Sequence, residues 1–154
     1  MEAGPSRPSS RSRRQGATPK TREDNAGDDV GVLDSSAVLA LLLGESGADD
    51  VAQTIAHGAA ISTVNLSEVA DVLLRNKFDA DSMIARLSDQ VAVEPFTHED
   101  ALAAAAMSPP TRRQGLSLGD RACLALAHRL DATALTADRE WSRLKLGVSI
   151  RLLR

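Results

Sequence analysis

Residues 30–44 read VGVLDSSAVLALLLG, and this stretch decides the fold class. Val30–Leu33 is a short β-favouring apolar run that stops at an acid, Asp34. From Ser35 to Leu43, Val38, Leu41 and Leu42 recur at the i, i+3, i+4 spacing of one helix face, and Gly44 and Gly47 break the pattern. The same alternation continues outward. A helix over Ala48–His57 stops at Gly58, the residue type expected just past a helix C-terminus, and Ala59–Ser62 is the second strand. Helices over Val64–Asn76 and Asp81–Gln90 precede a third strand, Val91–Glu94. Thr97 with Asp100 three residues on forms a capping-box pattern that opens an Ala-rich helix to Met107. Residues 108–115, SPPTRRQG, read as a loop. The helix over Leu118–Leu130 contains ACLALA, apolar on nearly every side, so it must be buried. Thr133–Thr136 is a fourth strand, Arg139–Leu144 a short helix and Val148–Leu152 a last strand, with no internal repeat. Strands alternating with helices predict right-handed crossovers and a parallel sheet covered on both faces, an α/β fold.

Composition narrows the possibilities. The 154 residues suffice for one ordinary domain, and 43% hydrophobic residues can build its core. No apolar run approaches the ~20 residues needed to cross a bilayer, so no membrane role is expected. A single cysteine, Cys123, excludes an internal disulfide and a cysteine-based zinc site and fits a reducing cytoplasm. Aromatics are 2% (Phe78, Phe96, Trp141), too few for stacked-base platforms, so contact with nucleic acid must run through charge.

The net charge of −3 conceals a split. Residues 1–22 carry six basic groups against Glu2, and residues 23–29 add four acids. With almost no large apolar side chain, residues 1–29 are expected to form a disordered Arg/Ser/Pro-rich tail ahead of a domain over 30–154. The tail has no apolar core of a secretory signal. It reads as a solvated extension rather than an RNA-binding arm; alternatively, Val30 stands where an alternative start codon would begin the protein.

In an open parallel sheet, ligands bind outside the carboxyl ends of the strands. Four acids fall at or near such ends: Asp34 after the first strand, Glu68 in the helix after the second, Asp120 at the start of the apolar helix and Asp138 after the fourth strand. Asp34 and Asp138 each have a simple alternative as helix N-caps, and Asp120 pairs with Ser117 as a capping box. Glu68 is harder to explain away, since Val64 and Val72 flank it at i−4 and i+4, and an unpaired acid on an apolar strip is costly. Four converging carboxylates repel one another unless cations stand between them. Oxygen donors suit Mg²⁺ or Mn²⁺, and the histidines are scattered: His57 and His98 read as surface residues, His128 as packed or at an edge. Ser36 and Thr136, two residues from Asp34 and Asp138, are placed to orient those carboxylates. Arg112, Arg113 and Arg121 flank Asp120 as candidate phosphate contacts, with solvated surface arginines as the plainer reading.

The stretches VLDSSAVLALLLGE, AISTVNLSEVADVL, GLSLGDRACLALA and ALTADREW, in this order, resemble the PIN-domain ribonucleases, most closely the VapC toxins of bacterial toxin–antitoxin pairs. The resemblance covers residues 30–154. It implies a PIN-like sheet, a Mg²⁺- or Mn²⁺-dependent endoribonuclease with a two-metal mechanism, and an acidic quartet of Asp34, Glu68, Asp120 and Asp138. As partners it implies an RNA substrate, a cognate antitoxin and a second copy in a homodimer. The amphipathic stretches Ala48–His57 and Val64–Asn76 are the expected antitoxin groove. Three other readings stand beside it: an RNA-processing nuclease outside a toxin–antitoxin pair, a non-catalytic partner-binding domain, and a phosphoacceptor domain. The last needs a lysine at a late strand end, and Lys20, Lys77 and Lys145 are poorly placed for that.

Overall fold

The computed structural model describes residues 30–153; the expected tail lies outside the described residues. Five strands, β1 (Gly31–Leu33), β2 (Ala59–Ser62), β3 (Ala92–Glu94), β4 (Thr133–Thr136) and β5 (Ile150–Leu152), form one sheet in the order β3-β2-β1-β4-β5. Every pairing is parallel, with Val32 beside Ala60 on one side and Ala134 on the other. Between β1 and β2 lie α1 (Ser35–Leu42) and α2 (Ala48–His57), between β2 and β3 lie α3 (Thr63–Arg75) and α4 (Ala80–Ser88), and between β3 and β4 lie α5 (His98–Thr111) and α6 (Leu118–Arg129).

The two-residue period of the strands divides the core. Leu33, Ile61 and Leu135 face one layer, where they pack with Val38, Val51, Val69, Leu73 and Leu87 from α1 to α4. Val32, Ala60 and Ala134 face the other, with Cys123, Leu124, Leu126 and Ala127 of α6 and the fully buried Trp141. The α/β expectation of a parallel sheet with helices on both faces holds.

Local differences have local causes. The stretch read as a loop from residue 108 is helical to Thr111, with Pro109 and Pro110 inside the last turn, and Arg112–Gln114 adds a 3-10 turn before Gly115 enters the left-handed region at φ 64°. The Thr111 hydroxyl donates to the Met107 carbonyl at 2.6 Å and ties down the turn that the prolines leave short of donors. In α6 Gly119 and the run Ala122–Ala127 are buried, and burial ends before His128, which is exposed with His57 and His98. The last strand begins at Ile150 rather than Val148.

Starting from β1, the chain runs outward through β2 to β3 on one side and through β4 to β5 on the other. The switch point therefore lies between β1 and β4, and at their carboxyl ends the Asp34 amide donates to the Leu135 carbonyl at 2.9 Å.

Candidate functional site

Asp34 sits at that switch point, only 3% exposed. It occupies the N-cap position of α1, yet its side chain makes no capping bond. Both nearby hydroxyls turn to it instead. Ser36 donates to Oδ2 at 2.7 Å and Thr136, 102 residues away, donates to the same oxygen at 2.9 Å. Having given their protons to Asp34, these hydroxyls accept from the backbone: Ala137 N–H reaches Ser36 at 3.0 Å and Asp138 N–H reaches Thr136 at 3.1 Å. The turn after β4 is thereby locked to the first acid. The carboxylate also accepts from the Ser35 amide, and the Asn65 amide approaches Oδ1 at 3.5 Å. Burial lifts the Asp34 carboxyl from its ordinary 3.8 to about 6; the hydroxyl bonds oppose the rise and the charge of Asp120 adds to it.

Asp120 is the third residue of α6 and completes the capping box with Ser117: its amide donates to the Ser117 hydroxyl at 3.1 Å, and the Ser117 amide donates to Oδ2 at 2.9 Å. Burial raises its carboxyl too, the Ser117 bonds oppose that, and Asp138 pushes further upward. A plain cap on an exposed helix start has no such neighbours. Glu68, half-buried on α3, accepts from the Ser35 hydroxyl through Oε2. Its carboxylate lies against the backbone of Gly119, where a β-carbon would fall 1.9 Å from Oε1. Asp138 is exposed and caps the 3-10 turn Arg139–Arg143, with Oδ1 accepting from Glu140 N–H at 2.9 Å.

A pattern runs through the four. Each acid has at least one oxygen committed to the protein: Asp34 Oδ2 to Ser36 and Thr136, Glu68 Oε2 to Ser35, Asp120 Oδ2 to Ser117 and Asp138 Oδ1 to Glu140. Charge couples Asp34 to Asp120 and Asp120 to Asp138. Oxygen-only donors, mutually repelling and partly desolvated, have the chemistry that suits a hard divalent cation. Among the described residues no group of three or more His, Cys, Asp or Glu side chains is placed to hold a metal ion as it stands, and what links the acids is the charge coupling that runs from Asp34 through Asp120 to Asp138.

The arginines separate. Arg112 and Arg113 are exposed on the 3-10 turn that leads to Asp120. Arg121 is half-buried and donates through Nη1 to the Ala104 carbonyl at 3.0 Å, so it braces α6 against α5. Three residues that the sequence reading passed over complete the site: Ser35 on Glu68, Asn65 at the junction of α1, α3 and α6, and Gly119 beneath Glu68. An apolar groove lies on the face formed by α1, α2 and α4. It measures about 300 Å³ and is lined by Leu41 and Leu42 of α1, Ile55 of α2 and Met83, Arg86 and Leu87 of α4, while α3 turns Val69 and Leu73 into the core.

An all-parallel sheet in the order β3-β2-β1-β4-β5, with helices on both faces, is the architecture of a known domain class. The PIN domain family model matches residues 31–146, and the chain belongs to this family. Its fold is that of the VapC toxins. The VapBC2 structure from Rickettsia felis, bound to a promoter DNA fragment, superposes with a TM-score of 0.66 at 15% identity, covering 81% of this chain and 99% of that one. VapBC-1 from nontypeable Haemophilus influenzae gives 0.64 at 17% identity over 80% and 97%. VapC20 of Mycobacterium tuberculosis, a sarcin–ricin-loop-cleaving toxin, gives 0.60 at 21% over 73% and 92%. No curated protein sequence matches the chain. No helix among the described residues is long and apolar enough to cross a membrane.

Proposed function

We propose that this protein is a Mg²⁺- or Mn²⁺-dependent endoribonuclease acting as the toxin of a toxin–antitoxin pair in the cytoplasm. The observation that carries the reading is the buried Asp34 carboxylate, held by Ser36 and Thr136 and coupled by charge to Asp120 at the carboxyl edge of the sheet. A lone carboxylate with its pKa raised in this way is costly, and a bound cation offsets that cost.

Asp34 and Asp120 would hold the ion, with Glu68 and Asp138 as further oxygen donors, the donor number that a two-metal site draws on. When bound, the cations supply a water of lowered pKa and neutralise charge at the scissile phosphate. The chain's own part is positional. Ser36 and Thr136 hold the Asp34 carboxylate in one rotamer, Ser117 does so for Asp120, and Ser35 for Glu68. Arg112 and Arg113 offer the positive charge that brings an RNA phosphate to an acidic site. In-line attack by water on the phosphate leaves a 5′-phosphate and a 3′-hydroxyl.

The structures it resembles include VapBC toxin–antitoxin complexes, and the groove between α1, α2 and α4 suits an apolar helix face of an antitoxin. A second copy is the other protein partner proposed. Leu74, 64% exposed, and Phe78 leave an apolar patch at the end of α3 for a like surface to cover.

The test is incubation of the purified protein with a total RNA pool, with Mg²⁺, with Mn²⁺ and with a chelator, followed by mapping of both cut ends. Metal-dependent cuts bearing 5′-phosphates support the reading. Intact RNA under all conditions, or 2′,3′-cyclic ends, refutes it.

A further inference from the structure

One fully buried polar side chain joins the elements that carry the acids. Asn65 of α3 is 0% exposed. Its amide nitrogen donates to the Gly119 carbonyl at 2.9 Å and to the Ser35 hydroxyl at 3.1 Å. An amide has two hydrogens, so these partners take both and the 3.5 Å approach to Asp34 Oδ1 is the weaker contact. The amide orientation is fixed by chemistry, because turning it over would press Oδ1 against a carbonyl that has no proton to give. Ser35, receiving from Asn65, gives its own proton to Glu68. The chain of donors therefore runs Asn65 to Ser35 to Glu68, with a second branch to the backbone immediately before Asp120.

Stability alone does not explain an asparagine here. Its Oδ1 is buried and has no hydrogen-bond partner among the described residues. Val69 and Leu73, on the same helix, are fully buried and apolar, and an aliphatic side chain at 65 would pack among them without a stranded oxygen.

We propose that Asn65 is a positioning residue for the acidic site: it sets the separation of Asp34 and Asp120 by tying the start of α1 to the start of α6, and it aims Glu68 through Ser35. The proposal rests on reading the four acids as a cation site.

The test measures Mn²⁺ affinity by calorimetry on the full chain, together with kcat and KM on RNA, for wild type, Asn65→Ala and Ser35→Ala. Asn65→Ala is expected to lose about 10- to 100-fold in Mn²⁺ affinity and in kcat, with KM for RNA within about twofold of wild type. Ser35→Ala should fall in the same direction by a smaller factor, because the branch to Gly119 survives. A folded Asn65→Ala with wild-type affinity and kcat, or with only KM raised, overturns the proposal. Should circular dichroism show Asn65→Ala unfolded, Ser35→Ala decides: unchanged Mn²⁺ affinity there makes Asn65 a core anchor and overturns the proposal, and a severalfold loss supports it. A wild type that binds Mn²⁺ but cuts no RNA refutes the nuclease reading and leaves the affinity comparison in force. A wild type that binds no Mn²⁺ overturns both.

Discussion

Gly119 and Glu68 are in such close contact that a β-carbon on the glycine would lie 1.9 Å from Oε1 and 2.3 Å from the carboxyl carbon of the glutamate. The space that Glu68 needs is therefore supplied by the absence of a side chain at the residue before Asp120. Gly119→Ala should fold, because alanine favours a helix by about 1 kcal/mol over glycine and offsets part of the local crowding. It should also displace the Glu68 carboxylate and lower RNA cleavage by about 100-fold, since a shift of about 1 Å in a reacting constellation costs that much. Thermal melting with a cleavage assay checks both. An alanine variant with wild-type activity contradicts the placement of Glu68 in the site.

Asp34→Asn gives a prediction with a definite pH dependence. The folded carboxyl titrates near 6 against an ordinary 3.8, so between those values the native state binds more protons than the unfolded chain. Stability from this group is therefore highest at low pH, declines as pH rises from about 4 to 6, and stays reduced above. Asparagine removes the charge and keeps one oxygen to accept from Ser36 and Thr136, but it turns its own NH2 toward the Asn65 amide. The net expectation is a gain of about 1 to 2 kcal/mol at pH 7.5 that shrinks toward zero near pH 4, measured by urea unfolding across the range. A variant less stable than wild type at pH 7.5 contradicts the account of a strained, metal-free acid.

Away from the site, Arg129 and Asp100 form a two-pronged ion pair at 2.9 and 3.0 Å that joins the end of α6 to the start of α5, with the Asp100 side chain 3% exposed. Burial alone would raise the Asp100 carboxyl, but the Arg129 fork and the Thr97 bonds outweigh it and hold the pKa below the ordinary 3.8. Its stabilisation is present above that value and is lost as pH falls through the lowered one. Arg129→Met should cost about 3 kcal/mol at neutral pH, because it strands a buried charge. The loss should narrow in acid, where Asp100 takes a proton. Cleavage per folded molecule should be unchanged.

The arginines near Asp120 should behave as two kinds. Arg112→Ala and Arg113→Ala should raise KM for RNA and each lessen the salt dependence of binding by roughly one counterion, with stability within about 0.5 kcal/mol of wild type. Arg121→Ala should instead lower the melting temperature, since its guanidinium serves the Ala104 carbonyl. Filter binding over a range of salt, set beside melting curves, separates the two. Equal effects of all three on RNA affinity would contradict the division.

Much of this was legible in the sequence, for identifiable reasons. The bounds of α2, β2 and β4 follow from glycine at a helix end and from short β-branched or alanine-rich runs, which are local signals. The four acids were visible because each stands in a motif at a strand end or on an apolar strip. Asn65 and Gly119 were not, because what they do depends on partners 30 to 54 positions away that only the folded sheet brings together. The continuation of α5 through Pro109 and Pro110 was hidden for the opposite reason: proline is a strong local stop signal, and the donor from Thr111 that secures the turn lies beyond it. The cavity against α4 was not legible either, because amphipathicity shows that a face is apolar without showing which neighbouring elements leave a space beside it.

The central claim is that Asp34 and Asp120 hold a divalent cation that RNA cleavage requires. The most direct measurement is the cleavage rate of one RNA pool over a Mn²⁺ series for wild type, Asp34→Asn and Asp120→Asn, each confirmed folded by circular dichroism. The account predicts a wild-type rate that rises with Mn²⁺ and saturates, is abolished by chelator, and falls at least about 1,000-fold in both variants at every concentration. Cleavage by either folded variant at the wild-type rate, or wild-type cleavage that persists in chelator, would contradict it.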